Sequence, residues 1–278
     1  MPTLSPKIIL ITGCSTGIGY VTAQFLQTRG HRVIATARHP DDVKRLQSDG
    51  LTALQLDLTD STSINRAVRQ FLDLTDGKID ALFNNAAYGQ PGAVEDLSRD
   101  ALRQQFETNV FGTQELTNLL LPVMRKQGSG TIIYNSSILG FVAMKWRGAY
   151  NASKFALEGL ADTLRLELHG SNIHISLIEP GPILSDFRKN ALIQYQKHIN
   201  AEQSVHKETY KAIVDRLQKE GPAAPFTLPA IAVAKKVAHA IESKRPKARY
   251  YVTVPTYLFA YLKRILPITW LDALLRMI

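Results

Sequence analysis

A tyrosine and a lysine four positions apart, in Tyr150-Asn151-Ala152-Ser153-Lys154, follow Ser137 by thirteen residues and stand far downstream of Thr12-Gly13-Cys14-Ser15-Thr16-Gly17-Ile18-Gly19. On a helix, a spacing of four puts the phenol and the ammonium on one face. An ammonium beside a phenol favours the phenolate and is expected to bring its pKa below the ordinary value near 10. A tyrosine tuned that way gives or takes a proton at neutral pH, worth about 10²–10⁴ in rate. The Ser137 hydroxyl, at the end of a strand, is placed to hydrogen-bond a carbonyl. Each piece has a plainer reading. A chain with ten tyrosines can hold one Tyr-x-x-x-Lys by accident, and Ser137 alone would pass for a capping serine.

The glycine-rich run supplies the second half of the chemistry. A strand that ends at Gly13 and a helix that begins with Gly17 and Gly19 let backbone amides and the positive end of a helix approach a pyrophosphate. The spacing is glycine, three residues, glycine, one residue, glycine, which differs from the G-x-G-x-x-G dinucleotide fingerprint. The bland reading is a tight turn that needs glycine for packing only. Taken with Tyr150 and Lys154, the turn points to hydride transfer between a nicotinamide cofactor and a carbonyl or alcohol. An NAD site would place an acid about 20 residues on, at the end of the second strand. That neighbourhood reads Ala35-Thr36-Ala37-Arg38, so a 2′-phosphate would meet a guanidinium rather than a carboxylate, and NADP(H) is the expected cofactor.

These groups need a sheet to hold them. Apolar runs at residues 7–11, 31–36, 51–56, 79–83, 131–135 and 173–178 read as strands. Helical patterns separate them at 17–29, 41–48, 60–74 (capped by Asp60), about 102–125 and about 149–169. Such alternation predicts an α/β fold, a single doubly wound parallel-sheet Rossmann-like domain. A core over 7–182 precedes a polar, helix-leaning insertion at 183–229 with no strand partner evident. A helix at 230–243, a short strand near 250–254 and an apolar C-terminal segment at 255–278 complete one domain spanning 1–278.

Composition excludes more than it names. With 45% apolar and 21% charged residues, the chain reads as an ordinary globular protein. One cysteine, Cys14, permits no internal disulfide and reads as a small packing residue. Met1-Pro2-Thr3-Leu4-Ser5-Pro6-Lys7 and the four apolar residues after it are too short for a signal-peptide core, so the cytoplasm is expected. The seven histidines are scattered without ligand spacing, so no metal site is expected. A net charge of +9 lacks the stacking aromatics or module of a nucleic-acid binder, and attraction to an anionic cofactor or membrane surface explains it better.

The combined motifs over about 7–185 resemble the short-chain dehydrogenase/reductase family, and most closely its hydroxysteroid and retinol dehydrogenase branch. That resemblance implies a catalytic tetrad of Asn109, Ser137, Tyr150 and Lys154, with Asn109 holding a water that links Lys154 to solvent. It implies cofactor contacts from Gly13, Ser15, Thr16, Gly17, Ile18 and Gly19, and from Arg38, Asp57 and Leu58. Asn85 and Ala86, Tyr150 and Lys154, and Pro180, Gly181, Ile183 and Ser185 complete the set. Ala87 and Ser185 depart from the family's usual glycine and threonine. The implied substrate is a small molecule, a long or bulky apolar aldehyde, ketone or alcohol, and the implied assembly is a dimer or tetramer through the helices near Leu102 and Ala149.

Two non-identical rivals stand beside this reading. A silent dinucleotide sensor would be expected to lose Tyr150 or Lys154, and a nucleotide-sugar epimerase would need a larger C-terminal domain. In the last segment Leu258, Tyr261, Leu262, Ile265 and Leu266 are expected on one helical face, continued by Trp270, Leu271, Leu274, Leu275 and Ile278. Lys263, Arg264 and Pro267 interrupt it, so it is too broken to span a membrane. A lid on an apolar substrate, an interfacial helix and plain packing all remain open.

Overall fold

The computed structural model describes residues 5–277; the first four residues of the amino-terminal reading and Ile278 lie outside them. In chain order the elements are β1 (Ile8–Ile11), α1 (Gly17–Thr28), β2 (Arg32–Ala37), α2 (Pro40–Ser48), β3 (Thr52–Gln55), α3 (Ser61–Leu74) and β4 (Ala81–Asn84). Then come α4 (Arg99–Phe106), α5 (Gly112–Gln127), β5 (Gly130–Asn135), α6 (Gly148–Glu167), β6 (Ile173–Glu179), β7 (Ile183–Leu184), α7 (Phe187–His198) and α8 (Lys207–Gln218). The chain closes with β8 (Leu228–Pro229), α9 (Ile231–Glu242), β9 (Arg249–Tyr251), α10 (Val254–Ile265) and α11 (Ile268–Arg276).

Seven parallel strands run in the order β3-β2-β1-β4-β5-β6-β9, a doubly wound Rossmann-like sheet. Alternate side chains leave the sheet on opposite faces, and here both faces are covered. Ile9 and Ile11 pack with Leu26 of α1 and Val233 and Val237 of α9. Leu10, one residue out of phase, packs on the other face with Phe71 of α3, Leu116 and Leu120 of α5 and Leu157 of α6. The strand order reverses between β1 and β4, which opens a crevice at their C-terminal ends.

Three expectations need correction. The insertion does contain strands: Ile183 and Leu184 of β7 pair in parallel with Leu228 and Pro229 of β8. Two-residue strands are too short to show a period of two, which is why no partner was evident. The helix expected from 102 begins at Arg99, where the Ser98 side chain accepts a bond from the Ala101 amide. It also passes through a π-turn at Glu107–Phe111 before α5, a widening of the kind often found at functional sites. The last strand stops at Tyr251, because Pro255 suits the first turn of α10 and cannot extend a ladder.

Candidate active site

The crevice at the reversal point is the mouth of a cleft of about 1470 Å³. Its floor is tied together by Thr12 and Asn85. The Thr12 hydroxyl accepts from the amides of Asn85 and Ala86, both at 2.9 Å. The Asn85 side-chain amide donates to the carbonyls of Thr12 at 2.9 Å and Gly13 at 3.0 Å, while its oxygen accepts from Asn135 at 2.9 Å. These bonds lock the glycine turn to β4 and β5.

The turn itself needs its glycines. Gly13 has φ +69°, and a Cβ there would lie 2.7 Å from the Ala86 Cα. A Cβ on Gly19 would sit 2.2 Å from the Gly13 carbonyl oxygen, so Gly19 closes the turn on itself and does not line the cleft. Thr16 precedes α1 in extended conformation without a side-chain cap, leaving the first amides of the helix without a side-chain acceptor in the cleft wall. That arrangement fits a pyrophosphate. Ser15, Ile18, Asp57, Leu58, Gly181 and Ile183 line the same cleft, as do Ala87 and Pro180. Asp57 spends one carboxylate oxygen on the amide and hydroxyl of Thr59, at 2.9 and 2.8 Å. Ser185 packs against Gly17, whose Cβ would come within 3.0 Å of its own.

At the end of β2, Arg38 rests against the His39 ring, with Nη2 3.1 Å from Nε2. Asp42 also lines the cleft, but Arg45 holds its carboxylate at 2.8 Å and donates to the Ser15 carbonyl at 2.6 Å. Arg38 therefore lines the cleft at the end of β2 beside an acid, Asp42, whose charge Arg45 neutralises. Cys14 is fully buried, and burial pushes its thiol up to about 12, so it packs and does not react.

Ser137 follows β5 and accepts a bond from the Leu139 amide at 3.1 Å, so it caps a short turn and also borders the cleft. Tyr150 lies in the first turn of α6, with the Phe187 ring against it edge-on at 5.3 Å. Lys154 follows one turn later, buried, with Nζ 2.6 Å from the Asn135 carbonyl and 5.6 Å from the Tyr150 ring centre. Asn109 lies in the π-turn but behind the cleft wall. Its oxygen accepts from the Tyr88 amide at 3.1 Å, and its nitrogen donates to the Tyr88 carbonyl at 3.0 Å and to Ser153 at 3.1 Å. Asn109 thus clamps the loop after β4 to α6.

The electrostatics overturn one expectation. Burial pushes the Tyr150 phenol up to about 12, against the pull of the Ser137 hydroxyl and the Arg147 charge. Lys154 does not lower it; burial brings the ammonium itself down to about 8, and only the charge of Glu158 draws it back up. Sequence spacing placed the two groups on one face but said nothing of how dry that face is. At neutral pH the phenol therefore carries its proton, the form that can donate.

Several neighbours escaped the sequence reading. Phe187 sits on the Tyr150 ring, and a Cβ on Gly89 would lie 2.8 Å from its edge. Beneath the site, Arg249 of β9 binds Glu158 and Asp162 of α6 and Glu179 of β6. Burial, then the charge of Glu158, raises the Glu179 carboxyl from 4.5 to about 8. Lys154-x-x-x-Glu158 and an acid closing the apolar run of β6 were visible signals; nothing in the sequence pointed to Arg249 as their partner.

The cleft is also walled by Val142, Met144, Phe187, Ile193, Phe226 and Leu258, with Arg147, Arg188 and Arg216 among them. The short chain dehydrogenase family model matches residues 7–196. The chain belongs to the short-chain dehydrogenase/reductase family. Among the relatives of this short-chain dehydrogenase/reductase, an uncharacterized oxidoreductase, YbbO, of Escherichia coli K12 is 43% identical over 271 residues, covering 97% of this chain and 94% of its own. A 3-ketodihydrosphingosine reductase of Bacteroides thetaiotaomicron is 40% identical, covering 67% and 68%. Human retinol dehydrogenase 8 is 37% identical, covering 68% and 63%, so the likeness to that branch is borne out. A solved short-chain dehydrogenase of Streptomyces avermitilis superposes with a TM-score of 0.76 at 28% identity, covering 94% of each chain. The chain is thus an oxidoreductase of a family that binds a nicotinamide cofactor.

Proposed function

We propose that this short-chain dehydrogenase/reductase is an NADP(H)-dependent reductase of apolar aldehydes or ketones, with Tyr150 as the proton donor. The observation that carries the reading is the cleft's division. At one end lie the glycine turn and Arg38, at the other a mainly apolar wall, and between them Ser137 and a protonated Tyr150. When bound, the cofactor supplies the hydride. Gly13, Thr16, Gly17 and Ile18 hold its pyrophosphate, Arg38 its 2′-phosphate, and Lys154 its nicotinamide ribose, with Ser185 beside the turn. Ser137 orients the substrate carbonyl, Phe187 keeps water from the phenol, and the Tyr150 hydroxyl gives its proton to the developing alkoxide. In the reverse direction Tyr150 is the base. After reduction, Lys154 passes a proton to the Tyr150 phenolate and is itself re-protonated from solvent.

The names of two relatives, a 3-ketodihydrosphingosine reductase and a retinol dehydrogenase, agree with an apolar carbonyl or alcohol. Exposed Phe111, Leu160 and Leu166 on and beside α5 and α6 suit association into a dimer or tetramer. The reading is tested by turnover of retinal, steroid ketones and fatty aldehydes with NADPH and with NADH. NADPH should be preferred, and Arg38→Ala should weaken NADPH about tenfold or more while sparing NADH, as loss of a charge-assisted bond worth about 1.5–3 kcal/mol requires. Equal use of both cofactors would sink the NADP(H) assignment.

A further inference from the structure

The two closing helices carry apolar residues on both of their sides. The inner side of α10 is spent on the fold: Phe259 packs with Val142 and with Leu271 of α11, supported by Leu262 and Leu266. The expected single face of α10 is therefore split. Tyr257, Leu258, Tyr261 and Ile265 recur at helical spacing along the outer side, with Tyr261 62% and Ile265 72% exposed. On α11 Trp270 is 66% exposed and Met277 likewise points outward. Scattered apolar residues need no explanation, but a continuous stripe on two consecutive helices marks a docking face.

Charge and composition say what it fits. Residues 254–277 contain Lys263, Arg264 and Arg276 against a single acid, Asp272. A second copy of the same face would set these cations against one another, whereas an anionic surface satisfies them. Two tyrosines and a tryptophan suit the depth of lipid headgroups, where a ring's apolar body and polar edge are both accommodated. Among the described residues no helix is long and apolar enough to cross a membrane, so these helices would lie on it. The stripe is also continuous with the cleft: Val254 and Leu258 border its mouth.

We propose that the outer face of α10 and α11 docks on an anionic lipid bilayer and turns the mouth of the cleft toward it, so that apolar carbonyls enter from the lipid. The entry route rests on the substrate class proposed above; the docking does not.

The test is sedimentation of the full-length protein with vesicles of phosphatidylcholine alone and of phosphatidylcholine mixed with phosphatidylglycerol. Binding is expected to the anionic vesicles only and to weaken with salt. Tyr261→Gln combined with Ile265→Gln, and separately Arg264→Glu, should each lower the partition about tenfold or more, without moving the thermal midpoint. Turnover of a short soluble carbonyl should stay unchanged, while KM rises for a long carbonyl held in vesicles. Wild-type protein that stays in solution with anionic vesicles, or variants that bind as wild type, would overturn the proposal. Variants that instead convert a dimer to a monomer would assign the face to a second copy. Vesicle binding without turnover on any carbonyl would remove the substrate reading and leave the docking intact.

Discussion

Glu158→Gln is expected to move the alkaline limit of this enzyme by acting on Lys154. The two residues are one turn apart on α6, both buried, and the Glu158 charge is what draws the ammonium up toward about 8 against the effect of burial. At about 6 Å and an effective dielectric near 20, one charge contributes about 3 kcal/mol, which corresponds to roughly two pH units. Part of that is replaced, because removing the Glu158 charge lets Glu179 ionise beside Arg249. A fall of about one pH unit remains. The assay is kcat/KM for the nucleotide across pH, since that quantity reports groups of the free enzyme. Wild type should lose activity as pH rises through about 8, as the ammonium deprotonates. The variant should lose it near pH 7 and match wild type at about pH 6. Arg249 keeps Glu179 and Asp162 as partners, so the fold should survive, which a thermal melt checks. An alkaline limb at the wild-type pH in a folded variant would refute the coupling of Glu158 to Lys154.

Tyr150→Phe should cut kcat by about 10²–10⁴ while leaving nucleotide binding nearly intact, because the ring still packs on Phe187 but has no proton to give. Retention of more than a tenth of the wild-type kcat would remove Tyr150 from the acid's role. Arg249→Leu leaves Glu158 and Glu179 without their cation, while Asp162 keeps Arg165; it should cost about 3–5 kcal/mol and lower the thermal midpoint by roughly 6–20 °C. Adding Glu158→Gln should return part of that loss, and no recovery would mean that the buried charge is not the cause.

Local rules carried the sequence reading as far as local rules reach. Hydrophobic periodicity and the Asp60 cap located the strands and helices of the sheet, because parallel strands covered on both faces are nearly continuous apolar runs. The glycine turn, Ser137, Tyr150 and Lys154 were legible because their spacing fixes which way they face. Two-residue strands such as β7 and β8 have no period to detect, and the π-turn at Asn109 has no sequence signal. The split face of α10 was hidden for a different reason. Helical spacing tells which residues share a side, but which side meets the core depends on Val142 and Phe141, more than a hundred residues earlier.

The protonation state of the site lies on that same long-range link. Tyr150 and Lys154 as an isolated pair predict a lowered phenol, yet the fold buries both and drives their pKa values apart, to about 12 and about 8. Desolvation penalises whichever form is charged, so it opposes the phenolate and the ammonium together. The one group that restores the ammonium, Glu158, is itself fixed by Arg249 from the last strand of the sheet. The charge state of Lys154 is therefore tied to the closing of the sheet at β9, and a substitution there should reach Lys154 through charge without touching the cleft wall.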